Sequence, residues 1–85
     1  MDKRFHATIS VSDDQIGEPS IVGPLRKTPK NAIKAAVVLA REIQEEVEIR
    51  LFESDDLLCT GFGHSPLAAQ DELCGLLDRN KRRYQ

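Results

Sequence analysis

The chain is expected to fold as an α+β domain of order ββαββα, with a four-stranded, mostly antiparallel sheet carrying two helices on one face. Three observations predict this. Residues 4–12 alternate polar and apolar side chains, two [ST]-P-x-x-A helix starts each lead into an apolar stripe of helical spacing, and near Val47 the period changes from 3.6 to 2.

Phe5, Ala7, Ile9 and Val11 alternate with Arg4, His6, Thr8, Ser10 and Ser12, which places one face on a core and the other in water. The turn formers Asp13 to Pro19 follow, and residues 20–23 can return as a short second strand that Pro24, lacking a donor, confines to an edge. Thr28-Pro29 is an N-cap followed by proline at the first helical position. Beyond it, Ile33, Ala36, Val37, Ala40, Ile43 and Val47 keep helical spacing, so the first helix is expected to run to the period change. There Val47, Ile49 and Leu51 alternate with Glu48, Arg50 and Phe52 as strand three. Ser54-Asp55-Asp56 suits a tight connection to a fourth strand over 57–62. Ser65-Pro66 then repeats the capping signal and opens a helix with Ala69, Leu73, Leu76 and Leu77 inward.

Thr28-Pro29-Lys30-Asn31-Ala32 and Ser65-Pro66-Leu67-Ala68-Ala69 match each other, and each follows a glycine. A pseudo-repeat within one domain, 1–85, is therefore expected, with halves 3–46 and 47–79 and a basic tail 79–85. With three Phe, one Tyr and no Trp, the core must be aliphatic, and large aromatic anchors for a partner are scarce. Cys59 and Cys74 are too few for a disulfide framework and read as reduced, buried thiols. The N-terminus has no apolar leader, and the longest apolar run, Ala35 to Ala40, falls far short of the ~20 residues that span a bilayer. A soluble, cytoplasmic protein with no membrane association is the expectation.

Charge is segregated although the net charge is only −2. Residues 1–41 hold seven Lys/Arg and four Asp/Glu, residues 42–78 hold ten acids and only Arg50, and residues 79–85 hold four bases. Glu42, Glu45, Glu46 and Glu48 crowd the expected end of the first helix, where negative charge opposes the helix dipole, so stability alone does not select them. With Val38, stranded on the polar side beside Lys34, Arg41 and Glu42, they form the candidate docking patch for a protein partner. The sheet edge or Val38 could also pair two copies. The alternative candidate is a nucleic-acid surface made of Arg26, Lys27, Lys30, Arg79, Lys81, Arg82 and Arg83, together with Lys3 and Arg4. The outer sheet face, with His6, Thr8, Ser10, Glu48, Arg50 and Phe52, offers few aromatics for stacking.

No catalytic constellation emerges, and no metal or other cofactor is implied. Gly61-Phe62-Gly63-His64-Ser65-Pro66 lacks the lysine and full glycine spacing of a phosphate loop and reads as a strand-to-helix turn. His6, His64, Cys59 and Cys74 have no paired spacing of a zinc site, and thiols in apolar surroundings make poor nucleophiles.

Gly63-His64-Ser65-Pro66-Leu67-Ala68-Ala69, with Leu73, Leu76 and Leu77 after it, resembles the G-x-[ST]-P-x-x-A step of HicB-like antitoxin domains over residues 61–77. That resemblance implies binding to, and neutralisation of, a partner protein. The same stretch is similar to the C-terminal part of a double-stranded RNA-binding domain, but Pro66 and Leu67 stand where that family places RNA-contacting lysines. In size and style the chain also resembles small phage-encoded inhibitors of host complexes. Together these features point to a small non-enzymatic interaction module, a regulator or inhibitor that binds another protein through a charged surface.

Overall fold

In a computed structural model the described residues are 4–11 and 21–79, so the expected turn 13–19 and the bases Lys3, Lys81, Arg82 and Arg83 lie outside them. The elements are β1 (Phe5–Val11), β2 (Ile21–Val22), α1 (Pro29–Leu39), β3 (Val47–Glu53), β4 (Asp56–Gly63) and α2 (Pro66–Arg79). The strands form one sheet of order β2-β1-β3-β4, antiparallel at every pairing. Because β2 and β3 both run against β1, they are parallel to each other, and α1 carries the chain between them across β1. The central strands β1 and β3 belong to different halves, with α1 over β1 and α2 over β4 and β3, an arrangement compatible with a repeated ββα unit.

Both helices begin where their caps place them. Thr28 Oγ1 accepts the Asn31 N–H at 3.2 Å, and Ser65 Oγ accepts the Ala68 N–H at 3.3 Å, each satisfying a donor that the first turn leaves free. Ala32, Ile33, Ala36 and Val37 of α1 and Ala69, Leu73 and Leu77 of α2 are buried, facing Phe5, Ala7, Ile9, Val47, Ile49 and Leu51 of the sheet.

The end of α1 corrects the sequence reading. Helical spacing continues through Ile43 to Val47, yet the helix stops at Leu39, and Ala40 closes it with its N–H directed to the carbonyls of Ala36 and Val37. Extending it would add Glu42, Glu45 and Glu46 to the negative end of the dipole at a cost of about 0.3–1 kcal/mol each. The apolar residues find burial without a helix: Ile43 packs on the core from the loop, its N–H donating to Ala40 O at 3.0 Å, and Val47 is buried as the first residue of β3.

Two further details differ from expectation. The β3–β4 register shifts between Leu51 and Phe52, so that Leu51 faces Cys59 and Phe52 faces Leu57 with Leu58 as the extra residue. Cys59 and Cys74 are free as expected, but only partly buried, because they border the core rather than fill it. Among the described residues no helix is long and apolar enough to cross a membrane.

Candidate functional site

The pairing of α1 with α2 generates a concavity at one end of the helix pair. Lys30, in the first turn of α1, makes an ion pair with Asp78, in the last turn of α2, at 2.6 Å, which brings opposite ends of the two helices together. At the other end no such bridge is made among the described residues. There the last turn of α1 and the first turn of α2 border a groove of about 680 Å³, within the range of ordinary ligand clefts.

Its walls are apolar and its charge is positive. Val37, Val38 and Ile43 come from α1 and the loop after it, and Pro66 and Leu67 from the start of α2. Val38 is 60% and Leu67 65% exposed, so each presents most of its side chain to solvent. Lys34 and Arg41 line the same groove beside Gln44, His64 and Gln70, and neither cation forms an ion pair among the described residues. The first turn of α2 contains no acidic residue to offset the positive end of its dipole.

The groove depends on how closely α2 seats on β4. At Gly63 the backbone lies against the first turn of α2, so that a Cβ there would overlap Ala69 N and come within 2.7 Å of Ala68 C. The Gly63-to-Ala69 spacing singled out in the sequence is thus a packing requirement, and it fixes the height of Pro66 and Leu67 above the sheet.

Of the residues expected to form an acidic docking patch, only Glu42 stays beside Val38, where the two share a shallow depression with Leu39 and Arg41. Glu45 is exposed in the loop, Glu46 borders a small hollow with Val47, Phe62, Gly63 and His64, and Glu48 lies on the open sheet face, ion-paired with Arg50. Of the alternative basic set, Lys30 is held by Asp78, Arg26 donates from Nη1 to Leu25 O, and Lys27 and Arg79 are exposed. The placement of Leu67, Lys34 and Arg41 around one groove was not read from the sequence. The available signal was a pair of apolar residues, Val38 and Leu67, on the polar sides of two helices expected to share a sheet face.

The thiols border other surfaces. Burial pushes the Cys59 thiol above its ordinary range, and burial does the same for Cys74, with Lys30 and Lys34 opposing it. Among the described residues no group of His, Cys, Asp or Glu is arranged to hold a metal ion. No protein-family model, curated protein or solved structure matches the chain.

Proposed function

We propose that the chain is a small non-enzymatic protein-interaction module, a regulator or inhibitor of the antitoxin or phage-inhibitor kind, and that it grips its partner in the groove between α1 and α2. The observation that carries this reading is the combination of exposed Val38 and Leu67 with Lys34 and Arg41, cations without an ion pair among the described residues, around one cleft. Exposed apolar side chains are ordinary singly; gathered at a cleft with unpaired charge they suit a docking surface. The matching partner segment has apolar side chains for the Val38–Leu67 floor and carboxylates for Lys34 and Arg41, so that desolvation at the centre supplies affinity and the charges supply orientation and rate. A reducing, cytoplasmic setting suits two unpaired thiols.

Site-specific photocrosslinking tests this in extract of the source cells, with the crosslinker at Val38 or Leu67 and, as a control, at Asp55 in the β3–β4 turn. A protein adduct is expected from the two groove positions and not from the turn, and it should disappear when Lys34→Glu and Arg41→Glu are combined. Equal adducts from all three positions, an adduct that survives the double reversal, or a nucleic-acid adduct would reject the proposal.

A further inference from the structure

The side of the sheet away from the helices carries exposed apolar side chains among its polar ones. By register, its rows are His6, Phe52 and Leu57; then Val22, Thr8, Arg50 and Thr60; then Ser10, Glu48 and Phe62. Val22 is 61%, Leu57 53% and Phe62 55% exposed, and the His6 and Phe52 rings stack with centroids 4.9 Å apart. Of the three phenylalanines only Phe5 is in the core; the other two are both on this face. Thr8, in the middle row, is only 8% exposed, and neither described helix packs over this face.

The charges on this face select the occupant. Glu48 and Arg50 are the only ionic side chains in the three rows, adjacent on the same face of β3 and paired with each other. Within these rows the two charges cancel and give no net attraction to a polyanion or to a uniformly basic or acidic partner, and Arg4 lies one row beyond them at the rim. The face does match itself. A two-fold axis crossing β3 between the two residues sets Glu48 of each copy against Arg50 of the other, with the apolar rows closing around the exchanged pairs. We infer that the open sheet face is a homodimer interface, sheet against sheet, leaving the helices of both copies outside.

The size of the face sets the strength. Four strands about 4.8 Å apart and rows spanning some six residues at about 3.3 Å give a footprint of roughly 19 by 20 Å, or about 400 Å² per copy before side-chain relief. That is below the ~800 Å² per partner of a standard stable interface, so the dimer is of the weak, concentration-dependent class.

Sedimentation equilibrium of the full chain is the test, with circular dichroism to confirm that each variant is folded. The mass should rise from 9.5 kDa toward twice that value as concentration climbs from about 1 μM to about 1 mM. Arg50→Glu leaves two negative charges on each face and Glu48→Lys two positive ones, so each variant alone should stay monomeric over that range. Mixed in equal amounts, the two should associate at least as strongly as the wild type. Phe62→Ser should weaken the wild-type dimer at least tenfold. A wild-type chain that stays monomeric at 1 mM, folded charge variants that fail to associate when mixed, or a dimer indifferent to all these changes and therefore joined elsewhere, such as at the β4 edge, would overturn the inference.

Discussion

Replacing Gly63 by alanine tests whether α2 is seated by close backbone contact. The added Cβ would lie 2.7 Å from Ala68 C and 2.9 Å from Ala68 Cβ, besides overlapping Ala69 N, where ordinary contact begins near 3.4 Å. The helix must therefore retreat by about 0.7 Å or more at its first turn, and the obstructing atoms are backbone, which cannot swing aside as a side chain can. Overpacking of this kind costs about 1–3 kcal/mol, and a rigid obstacle puts Gly63→Ala in the upper half of that range. In a domain of this size each kcal/mol moves the melting temperature by roughly 4–8 °C, so a fall of about 8–24 °C is expected. Gly75→Ala is the internal control. Gly75 is inside α2, and a Cβ there meets nothing within 4 Å, so the same chemical change should stabilise by about 0.5–1 kcal/mol through helix propensity. Thermal and urea unfolding of both variants would decide it. A Gly63→Ala protein as stable as wild type would refute the close seating of α2, and with it the geometry given for the groove.

Two further outcomes follow from local features. Thr28→Ala and Ser65→Ala each remove a capping acceptor and should each cost about 1 kcal/mol in urea unfolding; Ser65→Ala should also disturb amide signals of the first turn of α2, and an unchanged midpoint in both variants would contradict the caps. Stability should fall as pH rises above about 9, because the thiols of Cys59 and Cys74 are raised by burial and Lys30 is raised by its hydrogen bond to Asp78. For all three the folded pKa exceeds the unfolded one, so their contribution is complete below the unfolded value and is lost as pH passes through the folded value. Melting temperatures measured from pH 7 to 11 should decline at the alkaline end, less so in Cys59→Ala, and a flat profile would show that burial does not hold the thiol protonated.

Much of the architecture was legible because local signals agreed. The alternation from Phe5 to Val11 has the bounds of β1, and the two capped prolines open α1 and α2. Val47 begins β3, as the change of period requires. The end of α1 was not legible, because Ile43 keeps helical spacing with no glycine after it and because the choice between helix and loop rests on charge at the dipole end. The composition of the open face was only half legible. His6, Thr8, Ser10, Glu48, Arg50 and Phe52 follow from alternation, but the bulge at Leu57–Leu58 resets the phase of β4, and two residues of β2 are too few to show a phase. The groove required knowing that the helices lie side by side, and the Lys30–Asp78 pair that aligns them spans 48 residues of sequence, beyond the reach of any local pattern.

The groove and the open face lie on opposite sides of one sheet, and β3 separates them by alternation: Val47, Ile49 and Leu51 support the helices while Glu48, Arg50 and Phe52 face away. Substitutions on the outward set therefore leave the groove walls untouched, and a face-to-face dimer would present two grooves on its outer sides, free to hold two partners at once. The two surfaces meet at the end of β4. Phe62 points to the open face, Gly63 bears the weight of α2, and His64 lines the groove, three consecutive residues with three different neighbours. Glu72 of α2 accepts the Phe62 N–H at 3.0 Å, tying the helix to the strand at this point and occupying one outward-facing donor of the sheet edge. A displacement of α2 would thus reach Phe62 through the Glu72 carboxylate and the Gly63 contact, so this strand end joins the groove side of the sheet to its open face.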